Sequence, residues 1–312
     1  MPLIPMVSSA FPPHVVANGP SVHRCTWPEL VWSAITVGKR ELFDVVRHGQ
    51  YSFFEIVFRA ATVFANLKQA DTGHIVKSAV YDGQDPSEKA ATSYFLGLLV
   101  AKLLADAYLD VHWLMHLDVY RHRVTALLTG RSRPDLIGRS AAGHWAVLES
   151  KGRTGVYDAD AAVTAKAQAG QITTIGGVVP WIRVAVQAHF SAGVLSANWE
   201  DPERDESTSA HIDVSDEDLI SAYYRPFERM IEESGERREM LRIGQREYDA
   251  VRLRDADMTV GLLRNRRPQG QAGPLARRAH PDARTTEGAD GVLVRLGPSW
   301  DEATMLLEPQ QR

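Results

Sequence analysis

The four residues Asp85-Pro86-Ser87-Glu88 constrain this chain more than any other short stretch, because they start a long apolar helix. An acidic N-cap precedes a proline at the first helical position, and Glu88 stands at the third, which is the layout of a capping box. The helix is expected to run to about Leu109. Its interior holds Tyr94, Phe95, Leu96, Leu98, Leu99, Leu103 and Leu104, apolar on most sides. Such a helix has to be covered, and a neighbouring sheet does this. The most apolar run within it, 94–101, is far shorter than the roughly 20 residues a membrane span needs, and the first ten residues have no basic region. The expectation is a chain with no membrane contact.

The segments around this helix read as an α/β protein. Residues 113–119 alternate, with Trp113, Met115, Leu117 and Val119 on one face and His116 and Asp118 on the other, as in a half-buried strand. Residues 133–138, a turn over 140–143 and residues 144–151 read as a hairpin. Asp158 is placed to cap an alanine-rich helix ending near residue 172, and 181–190 is a further strand, with Arg183, Gln187 and His189 on one face. The order is helix, strand, strand, strand, helix, strand: an αβββαβ layer arrangement with a mixed sheet.

Three regions are expected. Residues 1–82 form a helical N-terminal accessory region with helices over 28–37 and 53–67, and residues 83–198 form the core. Residues 199–312 hold an acidic break at 200–207, a surface helix over 216–234 interrupted by Pro226, a flexible linker over 264–290 and a short strand at 291–296.

Composition narrows the class. The 312 residues are 44% hydrophobic and 24% charged, which suits a folded chain. The single cysteine, Cys25, cannot form an internal disulfide or supply a thiolate cluster, so a reducing, cytoplasmic setting is expected. The net charge of −4 argues against a nucleic-acid partner until it is divided along the chain. Residues 1–199 carry 18 Lys and Arg against 15 Asp and Glu, residues 200–250 carry 7 against 16, and residues 251–312 carry 10 against 8. The acid is local. Within 121–153, Arg121, Arg123, Arg131, Arg133, Arg139, Lys151 and Arg153 face only Asp135 and Glu149, a balance suited to steering phosphates.

The same hairpin carries the candidate chemistry. Side chains two apart on a strand share a face, so Glu149 and Lys151 lie together, and Asp135 on the neighbouring strand can meet them. Two adjacent carboxylates repel unless a cation lies between them, and hard oxygen ligands select Mg²⁺ or Mn²⁺. A lysine beside such a cation can orient a water and offset charge in a phosphoryl transition state.

Pro134-Asp135 followed after thirteen residues by Glu149-Ser150-Lys151 resembles the signature of the PD-(D/E)xK nucleases, the restriction-endonuclease-like superfamily. The resemblance spans residues 85–190, about a third of the chain. It implies an αβββαβ core, metal ligation by Asp135, Glu149 and the carbonyl of Ser150, and Lys151 as the catalytic lysine. It further implies an acid near the start of the first core helix, where Glu88 stands, and a glutamine on the helix after the lysine strand, where Gln168 and Gln171 stand. Arg153 and Arg133 are candidate phosphate contacts.

The expected function is a Mg²⁺-dependent DNA endonuclease of restriction, phage defence or repair, acting on DNA rather than RNA, as a homodimer or in a larger defence complex. The alternative is a catalytically inactive nuclease-like binding or scaffold module. A glycosidase with paired carboxylates is disfavoured by the lysine and the arginines.

Overall fold

A computed structural model describes residues 1–37, 49–125, 133–201, 210–265 and 282–302. From the N-terminus, β1 (Leu3–Ser9) and β2 (Gly19–Arg24) form a hairpin ahead of α1 (Trp27–Thr36) and α2 (Gly49–Asn66). The small hairpin of β3 (Leu67–Gln69) and β4 (Ile75–Lys77) and the short α3 (Ala79–Gly83) lead to α4 (Pro86–Leu109). Next come β5 (Val111–His116), β6 (Val124–Thr125), β7 (Leu136–Ser140), β8 (Trp145–Gly152), α5 (Ala159–Gly170), β9 (Ile172–Ile175), β10 (Ile182–Ser191) and β11 (Val194–Glu200). The C-terminal part contains β12 (Ala210–Ile212), α6 (Asp216–Glu233), β13 (Arg238–Ile243), β14 (Arg246–Leu253), β15 (Met258–Leu263), β16 (Thr285–Glu287), β17 (Val292–Leu296) and α7 (Ser299–Glu302).

The protein is a mixed α/β structure with a mixed central sheet in the order β2-β1-β11-β10-β8-β7-β5. β8 and β10 are parallel, as α5 between them requires, whereas β5, β7 and β8 form an antiparallel meander. β11 returns antiparallel to β10, and β1 runs parallel to β11.

α4 is capped as its sequence dictates: Asp85 accepts from the Ser87 and Glu88 N–H groups, and Glu88 accepts from the Asp85 N–H. The helix is long and apolar enough to cross a membrane, but 72% of its apolar window is buried inside the protein, as in the core helix of a soluble protein. It crosses β8 so closely that a Cβ on Gly152 would lie 1.7 Å from the Ser93 carbonyl oxygen. Neither backbone can retreat without opening the core. Gly152→Ala is therefore expected to destabilise the protein by about 3 kcal/mol or more, read as a lower midpoint in chemical denaturation.

Several expectations need correction. The N-terminal region is not only helical, because β1 and β2 extend the central sheet. Pro5 obscured this, but it precedes the register with β11, which begins at Met6, so its missing N–H breaks no bond of that ladder. β5 ends at His116, the 117–123 segment winds into a 3₁₀ helix, and both strand faces are covered, one by α4 and the other by α6. α6 runs unbroken through Pro226, whose flank of Leu219, Tyr223, Phe227 and Met230 is buried. That burial offsets the roughly 3 kcal/mol a helix-interior proline costs. β11 and the antiparallel sheet β13-β14-β15-β17-β16 were not expected at all, apart from β17.

Of the expected linker and acidic break, residues 266–281 and 202–207 lie outside the described residues, but 282–290 is ordered and contains β16. Asp290 there is 2% exposed; it accepts from Trp32 Nε1 (3.1 Å) and from the Tyr223 hydroxyl. Buried Lys102 donates to the same Tyr223 hydroxyl (3.3 Å). This polar knot joins α1, α4, α6 and the C-terminal sheet.

Candidate active site

The β8 strand alternates cleanly. Ser150 and Gly152 face α4, where a Cβ on Gly97 would meet both residues, while Glu149 and Lys151 face the opposite side. Leu136 pairs with Leu148, so Asp135, one residue before β7, falls beside Glu149. Two backbone bonds fix the carboxylates. The Asp135 N–H donates to Glu149 Oε2 (2.8 Å), and the Ser150 N–H donates to Asp135 Oδ2 (3.3 Å). The Asp135 carbonyl in turn accepts from the Leu117 N–H (2.7 Å), which ties it to the end of β5.

Lys151 completes the group. Its Nζ donates to Glu149 Oε1 and to Gln168 Oε1 (2.7 Å), and Gln168 Nε2 donates to the Arg133 carbonyl (3.2 Å). Gln168 thus bridges α5, β8 and the chain just before β7. Gln187, opposite Lys151 on β10, supports this from beneath: it accepts from the Asp158 N–H (2.7 Å) and donates to the Asp158 carbonyl (2.8 Å), fixing the start of α5. The alternation of 181–190 put Gln187 on a polar face, but spacing alone gave it no partner.

Glu149 is 1% exposed. Burial, then the neighbouring Asp135 charge, push its carboxyl up to about 8 against the pull of Lys151. Burial also raises Asp135, to about 6; Lys151 and the Ser150 N–H oppose this, and Asp118 adds to it. One ammonium, that of Lys151, directly faces the two carboxylates, and such a shortfall of positive charge is the condition that favours a bound cation. Asp118, to which the sequence assigned no role, is therefore part of the site's electrostatics.

Other expected residues are placed differently. Glu88 is exposed, with its carboxylate on the Asp85 N–H, on the helix that covers the opposite face of β8. Among the described residues no group of three His, Cys, Asp or Glu side chains converges on a metal position, so Glu88 does not join Asp135 and Glu149. Glu88→Ala is expected to cost about 1 kcal/mol of stability through the cap and to leave any Asp135-dependent activity at the wild-type level, checked by denaturation and activity assay in parallel. Gln171 is the C-cap of α5, its N–H on the Gln168 carbonyl. Arg153 pairs with Asp158 and Arg133 with Asp118.

The basic hairpin is thus compensated within the protein. Arg123 pairs with Asp218 (2.7 Å) and Arg139 with Asp216, both from the acidic segment. Arg131 and the Arg121 side chain lie outside the described residues. The acidic segment lies against the hairpin rather than away from it, because the first turn of α6 reaches Arg139 on β7 and Arg123 at the end of the 117–123 segment.

Comparison with known proteins finds no match: no protein family, no curated protein and no solved structure matches the chain.

Proposed function

We propose that this protein is a divalent-metal-dependent nuclease with a restriction-endonuclease-like core, hydrolysing phosphodiester bonds of DNA. The observation that carries the proposal is the meeting of Asp135, Glu149 and Lys151 on one sheet face, where a buried glutamate contacts both the other residues. The helix, three antiparallel strands, helix and parallel strand that surround it support the same reading.

The donor set fits Mg²⁺ or Mn²⁺: two carboxylates short of compensating charge are hard ligands on adjacent strands. Asp135 and Glu149 would hold the cation with the Ser150 carbonyl. Once bound, such a cation acidifies water and polarises a phosphoryl oxygen. Lys151, held by Glu149 and Gln168, would orient the attacking water and offset the charge developing on phosphorus. A cytoplasmic setting and a role in restriction, phage defence or repair belong to the same proposal.

One observation favours the alternative, a catalytically inactive nuclease-like binding module: each described cation of the 121–153 segment already has an acidic partner. A cleavage panel separates the two. Plasmid, linear DNA and RNA are incubated with the protein in Mg²⁺, Mn²⁺ or EDTA. DNA cleavage in metal alone that disappears in Asp135→Ala supports the nuclease; no cleavage of any substrate, or equal cleavage by the variant, rejects it.

A further inference from the structure

The outer face of the C-terminal sheet holds a cavity of about 430 Å³ that uses none of the residues above. Strand register decides what lines it. Arg252 on β14 stands opposite Thr259 on β15, Thr259 opposite Arg295 on β17, and Arg295 opposite Thr285 on β16. One row of side chains therefore crosses four strands, with an arginine on each side of Thr259. At about 4.8 Å per strand the two arginine stems stand roughly 10 Å apart, a gap their side chains can close over a ligand. The other face of the same strands, at Val251, Val260 and Val294, is fully buried against the core.

Both arginines have donors to spare. Arg295 gives Nε to Thr285 Oγ1 (3.3 Å), Arg252 is exposed, and among the described residues neither forms an ion pair. Two acids at the cavity are already engaged. Asp257 accepts from the Ser299 N–H (3.0 Å) and hydroxyl, and Asp282 accepts from the Arg284 N–H (3.0 Å) and Thr285 Oγ1 (2.8 Å). Glu239, the remaining acid, also lines the cavity and is exposed. Planar guanidinium forks match the oxygens of a tetrahedral phosphate, and a hydroxyl between them supplies a further donor. The volume falls within the 300–1,000 Å³ typical of ligand sites.

We propose that this cavity binds the phosphate of a nucleotide or of a polynucleotide through Arg252 and Arg295, with Thr259 between them. It does not depend on the nuclease reading and fails or stands separately from it. Binding to the full chain is measured in EDTA by calorimetry with pyrophosphate and adenosine monophosphate, and by anisotropy with a labelled single-stranded oligonucleotide. Arg252→Ala and Arg295→Ala are each expected to weaken binding about tenfold or more, the factor one charge-assisted bond carries, with Arg295→Lys between them and wild type. Because Arg252 is exposed, the Arg252→Ala melting temperature should equal that of wild type. Arginine-dependent binding of the small phosphates identifies a nucleotide site, and arginine-dependent binding of the oligonucleotide alone identifies a backbone contact. Absence of binding by all three probes at millimolar concentration, or variants that bind as wild type does, overturns the proposal.

Discussion

Lys151→Ala is expected to lower metal-dependent DNA cleavage by about 10²–10³-fold, the loss that accompanies removal of one preorganised donor from a developing negative charge, while the protein stays folded. Lys151 is part-exposed and, among the described residues, its ammonium bonds to Glu149 and Gln168. Its loss leaves Glu149 buried beside Asp135 without its amine, so the metal-free variant should also melt at a lower temperature than wild type at pH 8. Gln168→Ala makes an informative companion. It removes the bond that aims Nζ but keeps the ammonium, so its loss should be smaller and lie mainly in kcat. Equal cleavage by Lys151→Ala and wild type would remove lysine from the mechanism and, with it, the main support for the proposed function.

The second large effect is on stability. Glu149 ionises at about 4.5 when unfolded and near 8 when folded, and Asp135 moves from 3.8 to about 6. Between these values the folded protein binds more protons than the unfolded chain, so these groups add stability at low pH and the contribution is lost as pH rises from about 4.5 to 8. Glu149→Gln keeps the shape of the side chain without a charge. The variant should therefore gain on wild type steadily across that window in metal-free thermal melts. Mg²⁺ should reverse the wild-type loss, by about 2.7 kcal/mol at a hundred times its Kd, and should do little for the variant. Parallel pH profiles for the two proteins, with no Mg²⁺ response in wild type, would show that the carboxylate pair neither carries the strain nor holds the cation.

Local rules made the core legible. Asp85 and Asp158 announce α4 and α5 through their caps, and the period-2 patterns of 144–151 and 181–190 announce β8 and β10. The grouping of Asp135, Glu149 and Lys151 was legible for the same reason, since Glu149 and Lys151 are two apart on a strand and Asp135 stands at the start of its hairpin partner. Long-range pairing was not legible. β1 joins β11 across almost the whole central region, and nothing within Leu3–Ser9 specifies a partner that distant. Pro226 misled because helix propensity is a local cost of about 3 kcal/mol, and the buried flank of α6 outweighs it. The basic segment misled differently: its charge count was right, but its acidic partners Asp216 and Asp218 stand 77 and 95 residues further along the chain from Arg139 and Arg123.

The sequence by itself determined the helix and strand order of the core, its caps and the face on which Glu149 and Lys151 stand, because backbone periodicity and capping act within a few residues. Only the tertiary structure decided that Glu149 is sealed from water beside Asp135, that Gln168 and Gln187 fix the lysine's surroundings, that Glu88 remains a cap, and that Arg252 and Arg295 share one row. Burial and charge neutralisation depend on which distant segments pack together, and that is set by the whole core at once rather than by any stretch of it.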